Sequence, residues 1–174
     1  MHGVGFLGGG PRFSGMSSSL TIDIGPTLTA GRPLSLDESV GIQPFDDMTF
    51  PQGAHAQLEL RRVERGIHID GSIETVVSGE CGRCLEAVTL PIAVVVEERF
   101  DPPSGSSDPF GENNVLSGTV LDVGDLVRQL VTSALPFSLV CSEECAGLCP
   151  QCGRSKNAGG GCTCPPMEGD HGES

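Results

Sequence analysis

Eight cysteines constrain this chain more than any other feature, and six of them lie within residues 141–164, CSEECAGLCPQCGRSKNAGGGCTC. The other two belong to CGRC at residues 81–84. CGRC and CPQC both have the C-x-x-C spacing of a zinc knuckle, and Gly153 after CPQC tolerates the positive φ of such a turn. Eight thiolates fill two tetrahedral sites with none left over. The sequence therefore predicts two structural zinc ions, with the ligands Cys81, Cys84, Cys141, Cys145, Cys149, Cys152, Cys162 and Cys164.

The spacing leaves open how the eight ligands divide between the two zinc sites. We favour a first division in which both C-x-x-C pairs share one zinc, because two such knuckles make the usual paired geometry. The other site is then formed by Cys141, Cys145, Cys162 and Cys164. In a second division, one site takes Cys141, Cys145, Cys149 and Cys152, and the remaining four cysteines form the other. Closing the loop between the two C-x-x-C pairs costs about 4 kcal/mol, whereas a structural zinc site yields about 10–16 kcal/mol, so both divisions are energetically allowed.

Other uses of the thiols fit the sequence less well. A reducing compartment disfavours structural disulfides, and a redox C-x-x-C pair belongs at a helix N-terminus in a βαβ unit, whereas CGRC lies in a β context. A catalytic zinc would keep an open position and would use histidine or carboxylate ligands. An iron–sulfur cluster would use the same four-cysteine sets and stays an alternative. The histidines fall in strands or tails and are interpreted as surface residues: His2, His55, His68 and His171.

The charge limits the choice of partner. The formal net charge is −13, and it becomes about −17 when eight thiolates bind two zinc ions, because each ligand loses its proton. Non-specific binding to a polyanion depends on Lys and Arg releasing counterions, so the charge argues against a bulk nucleic-acid binder. A local basic contact is not excluded. The arginines of the β region are interpreted as a solvated strand face, with a phosphate contact as the alternative: Arg61, Arg62, Arg65 and Arg83.

The ends of the chain are predicted to lie outside the folded domain. Residues 1–18 read as a flexible tail, and Met16 offers a second start. The G-x-G-x-x-G at Gly3–Gly8 has no room for the strand that a dinucleotide site requires before it. Residues 165–174 are predicted to be a disordered acidic tail. No apolar run is long enough to span a membrane, and the N-terminus lacks a secretory signal pattern, so we expect a cytoplasmic protein without a membrane partner.

Alternating apolar residues predict several strands. LTIDIG at 20–25 alternates, and two further alternating runs begin at Ala54 and Ile67, on either side of a turn at 65–66. The clearest strand is VTLPIAVVVEERF at 88–100. Pro91 lies within it and cannot donate to a ladder, so this strand is predicted to lie at a sheet edge. CGRC is predicted to lie in the loop that joins this strand to the strand before it in the sequence.

The spacing of the apolar residues changes after the Pro/Gly/Ser-rich linker that is predicted for residues 101–114. From 122 to 135 apolar residues recur at steps of three and four, which predicts one amphipathic helix. Asp122 is its predicted N-cap, Asp125 suits the first turn, and Pro136 stops it. The expected fold is α+β: a mostly antiparallel β body, one amphipathic helix, and a cysteine-rich C-terminal segment, 141–164, stabilised by zinc.

Three stretches in this order resemble the YceD family, the large ribosomal RNA subunit accumulation proteins: GECGRCLEAVTLPIAVVVEERF, LDVGDLVRQLVTSALPFSLVC and CAGLCPQCG. The resemblance covers residues 19–164 and implies a single domain of that family. Where related members have an Asn-Leu-Asn run after the CG, this chain has RSKNAGGG, so that only Asn157 corresponds. Some members lack much of the C-terminal cysteine cluster, which implies that zinc stabilises this segment and is not the active part.

The resemblance implies a non-enzymatic factor for 23S ribosomal RNA accumulation and large-subunit biogenesis. No catalytic residue and no small-molecule substrate carry over. The implied partner is 23S rRNA or a large-subunit precursor, contacted directly or through a protein, and the acidic charge favours a protein at least as much as RNA. The alternative from another class is a thiol-based redox or metal-delivery protein that uses the C-x-x-C pairs.

Overall fold

The computed structural model describes residues 19–103, 114–157 and 162–165. The predicted N-terminal tail, residues 104–113 of the predicted linker, and all but the first residue of the predicted C-terminal tail lie outside the described residues. Asp101 and Asn114, the two ends of that linker, belong to strands. The limits proposed for the domain therefore stay predictions.

The described elements form two sheets and two helices. A five-stranded sheet has the order β2-β3-β4-β5-β6, antiparallel except for the short parallel pair β5–β6, and β1 and β7 form a separate antiparallel pair. This confirms the predicted α+β, mostly antiparallel fold. In chain order the elements are β1 (Thr21–Asp23), α1 (Gly25–Ala30), β2 (Leu34–Val40), β3 (Ala54–Val63), β4 (Gly66–Glu80), β5 (Ala87–Asp101), β6 (Asn114–Val115), β7 (Val120–Asp122) and α2 (Val123–Ala134).

The three long strands follow the alternation of the sequence. In β3 the even-numbered residues from Ala54 to Leu60 are buried, while the residues between them are exposed. β3 and β4 are joined by the two-residue turn Glu64–Arg65, and Glu64 takes the positive φ (50°) that such a turn requires. The strands predicted from Ala54 and Ile67 are therefore confirmed as one hairpin.

The edge position predicted from Pro91 is also confirmed. β5 pairs with β4 along its length from Ala87 to Phe100. On its other side, β6 pairs only with Phe100 and Asp101. Pro91 thus lies where, among the described residues, no second neighbour requires its missing N–H.

Helix α2 has the predicted boundaries. The side chain of Asp122 accepts a hydrogen bond from the N–H of Asp125 (2.8 Å), and the helix ends at the C-cap Leu135, directly before Pro136. The prediction of a single helix is wrong, because α1 precedes it in the chain. Its six residues are too few to show a helical period in the sequence, although it carries a proline in its first turn and ends at Gly31 with φ 65°.

The core lies on one face of the large sheet. α1, α2 and the β1–β7 pair cover this face, and their apolar residues join those of β2 to β5 in one cluster. The opposite face is open to solvent; it is polar along β3 but carries Pro91, Ala93 and Val95 on β5. No helix in the described part of the chain is long and apolar enough to cross a membrane.

Candidate metal centres

The eight cysteines lie in two groups of four, and within each group the sulfur atoms lie within 4.8 Å of one another. Centre 1 consists of Cys81, Cys84, Cys141 and Cys145. Centre 2 consists of Cys149, Cys152, Cys162 and Cys164. Both divisions derived from spacing are therefore wrong, because each of them joined cysteines that belong to different centres.

The path of the chain after α2 explains the correct division. Leu139 is buried in the core, and its carbonyl accepts a hydrogen bond from the N–H of Gly82 (2.8 Å). This contact places Cys141 beside the CGRC turn, so that the sulfur atoms of Cys84 and Cys141 lie 3.6 Å apart. The packing of Leu139 on the sheet thus determines which cysteines join CGRC in one centre. Ligand spacing alone does not reveal this packing.

Centre 1 joins the end of the β4–β5 hairpin to the C-terminal segment. Its turn is closed by a hydrogen bond from the N–H of Leu85 to the carbonyl of Cys81 (2.9 Å). The Arg83 side chain donates to the carbonyls of Glu143 (3.0 Å) and Cys145 (3.3 Å), and the Arg83 carbonyl accepts from the N–H of Leu148 (3.1 Å). Three of the four sulfur ligands belong to buried residues. The centre is therefore built into the body of the protein.

Centre 2 lies entirely within the C-terminal segment. The N–H of Gly153 donates to the carbonyl of Cys149 (2.8 Å), and Gly153 has φ 68°, as the knuckle predicted. Cys149 is buried, but Cys152 is exposed and Cys162 and Cys164 are partly exposed. Centre 2 is consequently the more accessible of the two.

The distances between the sulfur atoms fit a metal tetrahedron. Four thiolates at 2.3 Å from a zinc ion would lie about 3.8 Å apart. The structure places Cys81 and Cys145 at 3.8 Å, Cys84 and Cys141 at 3.6 Å, and Cys152 and Cys162 at 3.7 Å. A disulfide would require about 2.05 Å. The residues present therefore fit a four-coordinate metal ion at each centre.

The electrostatics of the thiols also favour a cation. Burial disfavours the Cys81 thiolate, but the N–H groups of Cys141 and Arg83 (both 3.4 Å from its sulfur) donate to it, and the pKa of Cys81 falls to about 6. In centre 2 the opposite effect dominates at Cys164, where the neighbouring thiols, led by Cys152, raise the pKa to about 12. Within each centre the pKa is thus lowered for some thiols and raised for others, so that each set of four resists complete deprotonation. A bound dication would supply the compensating charge.

Asn157 contacts centre 1 although it lies between two ligands of centre 2. Its amide nitrogen is 3.6 Å from the sulfur of Cys145 and 3.9 Å from that of Cys141. Its amide oxygen accepts a hydrogen bond from the N–H of Ala146 (2.9 Å). Such contacts orient ligands and tune metal affinity. The family resemblance singled out Asn157, but only the structure shows what it touches.

Arg61 and Arg83, two of the four arginines predicted for the β region, have partners within the chain. Arg61 pairs with Asp70 and Glu59, and the Asp70 hydrogen bond is the main cause that raises its pKa. Arg83 serves centre 1, as described above. Two of the four predicted arginines are thus occupied by carboxylates or carbonyls, which weakens the alternative of a phosphate contact there.

The histidines of the β region lie apart from both centres. His55 in β3 is 3.1 Å from Asp37, and His68 in β4 is 3.8 Å from Asp70. His55 is exposed, in agreement with the interpretation as a surface residue, whereas His68 is partly buried. His2 and His171 lie outside the described residues.

The chain matches the family model described as "Large ribosomal RNA subunit accumulation protein YceD" over residues 69–170. It is similar to an uncharacterized protein of Mycobacterium bovis, with 36% identity over 111 residues, 61% of this chain and 54% of that protein. The identity to an uncharacterized protein of Mycobacterium leprae is 30% over 108 residues, 59% of this chain and 50% of that one.

A more distant relative is a Zea mays protein named "Large ribosomal RNA subunit accumulation protein YCED homolog 1, chloroplastic", with 23% identity over 159 residues, 74% of this chain and 52% of that protein. The chain spans about half the length of the curated relatives it matches. No solved structure matches it. Because the family model covers more than half of the sequence, the chain belongs to the YceD family.

Proposed function

We propose that this chain is a non-enzymatic factor that supports the accumulation of 23S ribosomal RNA and the biogenesis of the large ribosomal subunit. The observation that carries the proposal is the family match over residues 69–170, a range that includes all eight cysteines. The family description and the name of the maize relative both refer to accumulation of the large ribosomal RNA subunit. Both support a ribosome-related role.

The proposed role of the metal is structural. Centres 1 and 2 would each hold one zinc ion through four cysteines, and a site with four protein ligands has no open position for substrate or water. Zinc bound in this way supplies folding free energy and no chemistry on a substrate. Reduced thiols held as zinc ligands suit the cytoplasm, which we propose as the location.

A protein partner fits the charge distribution better than direct contact with RNA. The formal net charge is −13, and zinc binding makes it more negative. Arg61 and Arg83 already have partners within the chain. We therefore propose contact with the large-subunit precursor through a protein, with direct rRNA contact as the weaker alternative.

One observation favours the second candidate function, a thiol-based redox or metal-delivery protein. Cys152 of centre 2 is exposed, and an exposed ligand is open to exchange with another thiol or metal-binding molecule. In that case the thiol of Cys152 itself would be required for function.

The test is the ratio of large to small ribosomal RNA in a strain that lacks the gene and carries one variant at a time. We expect the deletion to lower this ratio and the wild-type gene to restore it. Cys152→His is the matched variant, because histidine can replace a cysteine as a zinc ligand but has no thiol. Restoration by Cys152→His supports a factor that acts through its folded surface. An unchanged ratio in the deletion strain contradicts the proposal, and a folded Cys152→His protein that fails to restore the ratio favours thiol chemistry.

A further inference from the structure

Leu85 occupies a backbone conformation that suits glycine. Its φ is 61°, in the left-handed region where a Cβ is sterically unfavourable. Gly153 follows the C-x-x-C pair of centre 2 in the same way and has φ 68°. Burial does not explain the leucine, because 59% of Leu85 is exposed. The fold would therefore be served at least as well by glycine at position 85, and the apolar side chain requires another reason.

Two further apolar residues are exposed on the segment that crosses the Leu85 turn. Phe137 is fully exposed and Val140 is 37% exposed, whereas Leu139 between them is buried. The segment is fixed to the turn by the hydrogen bond from Gly82 to Leu139 and by the proximity of the sulfur atoms of Cys84 and Cys141, the neighbours of Leu85 and Val140. We call Leu85, Phe137 and Val140 the apolar rim of centre 1.

Carboxylates accompany the apolar rim on both chain segments. In the sequence, Glu80 and Glu86 flank the CGRC turn, Glu143 and Glu144 follow Val140, and all four are exposed. The cation within the CGRC turn, Arg83, donates to backbone carbonyls. This charge repels a phosphate backbone and attracts Lys and Arg. A surface with exposed leucine and phenylalanine beside several carboxylates is thus complementary to a basic segment that carries an apolar side chain.

We propose that the apolar rim is the docking surface for a basic protein segment, with an apolar side chain of the partner against Leu85 and Phe137 and its Lys or Arg residues against the flanking glutamates. The proposal rests on the proposed function, because it makes the partner a basic protein of the large-subunit precursor. Aromatic side chains such as Phe137 are enriched at protein interfaces, and a strained backbone such as that of Leu85 is typical of functional sites.

Leu85→Gly separates docking from folding. Because glycine adopts φ 61° without a steric cost, we expect the melting temperature to stay unchanged or to rise, while docking weakens. Phe137→Ser removes the other anchor without disturbing the core, since Phe137 is fully exposed. Val95→Thr is the matched control: Val95 is 86% exposed on the solvent face of β5, away from the rim.

The binding probe is the mixed protein fraction of purified large subunits, freed of rRNA, applied to the immobilised zinc-loaded protein. We expect wild type and Val95→Thr to retain the same basic large-subunit protein, and Leu85→Gly and Phe137→Ser to bind it at least about tenfold more weakly. Failure of the wild type to retain a basic protein overturns the proposal, as does equal binding by all four proteins. Loss of binding to a 23S rRNA transcript, in place of protein, by the two rim variants would assign the surface to RNA instead.

The rRNA ratio in the deletion strain distinguishes failure of this inference from failure of the proposed function. If the deletion itself leaves the ratio unchanged, the proposed function is wrong. If the deletion lowers the ratio and Leu85→Gly restores it fully, the function stands and the docking surface is wrong.

Discussion

Asn157 shows how much one side chain contributes to the site. It belongs to the loop between two ligands of centre 2, yet its amide nitrogen lies 3.6 Å from the sulfur of Cys145 in centre 1. The backbone next to it is fixed by the hydrogen bond from Lys156 to Gly147 (2.7 Å). Folding of the centre 2 loop therefore places a hydrogen-bond donor on the thiolates of centre 1, and the two centres are not independent.

Replacement of Asn157 by alanine should loosen one zinc ion and leave the other unchanged. Loss of a hydrogen bond to a ligand typically lowers metal affinity by about 10–100-fold. The measurement is zinc release to a competing chelator, followed for both ions. Val95→Thr is the control, because Val95 lies on the solvent face of β5, away from both centres. Release curves identical to wild type for both ions would show that Asn157 does not support centre 1.

Some residues of the site could be predicted one at a time. Gly153 was predicted to have a positive φ because its place after C-x-x-C requires one, and it does. Leu85 holds the equivalent place in centre 1, but its sequence gives no such indication, because leucine rarely takes this conformation. The role of Arg83 was missed for a similar reason. Its partners are the carbonyls of Glu143 and Cys145, and because every residue has a backbone carbonyl, a sequence does not show which ones accept a hydrogen bond.

At the scale of elements, the long periodic segments were predictable, whereas most of the short ones were not. β3, β4, β5 and α2 each repeat an apolar pattern over ten residues or more. β1 was predicted as a strand, but its partner β7 has only three residues, and pairing across such a distance has no local signature. The division of the cysteines was mispredicted because it depends on how the segment after α2 packs, and not on ligand spacing.

The N-cap of α2 should contribute measurably to stability. The Asp122 side chain accepts a hydrogen bond from the N–H of Asp125 (2.8 Å), and loss of such a cap costs about 1 kcal/mol. Asp122→Ala is therefore expected to lower the melting temperature by roughly 2–4 °C. Asp122→Asn keeps a capping oxygen and should stay close to wild type. Equal melting temperatures for wild type and Asp122→Ala would contradict this role.

The two centres should stabilise different elements. Cys149→Ser removes a ligand of centre 2, which lies wholly in the C-terminal segment, whereas Cys84→Ser removes a ligand of the centre that holds the β4–β5 loop. In native-state hydrogen exchange we expect Cys149→Ser to lower protection mainly in residues 141–157. Cys84→Ser should also lower it at the adjoining ends of β4 and β5. Equal loss of protection throughout β5 in Cys149→Ser would show that centre 2 stabilises the whole sheet.

At the scale of the whole molecule, the fold places centre 1 at one end of the sheet. Centre 1 lies where β4 ends and β5 begins, and the open face of the sheet carries neither centre. The acidic charge and the exposed apolar side chains make the apolar rim the surface that we propose for a partner. The protein would then act as a rigid support that presents this rim, with two zinc ions holding the presenting segment in place.

The division of the cysteines is tested most directly by zinc content after all four ligands of one centre are replaced. Elemental analysis or native mass spectrometry should find two zinc ions in wild type. The variant with serine at positions 149, 152, 162 and 164 should retain one zinc ion, because centre 1 stays complete. The complementary variant, with serine at 81, 84, 141 and 145, should also retain one. Under either division that the spacing suggested, each replaced set contains two ligands of each site, so both sites would lose their zinc ion. A zinc-free first variant would therefore contradict the two-centre arrangement described here.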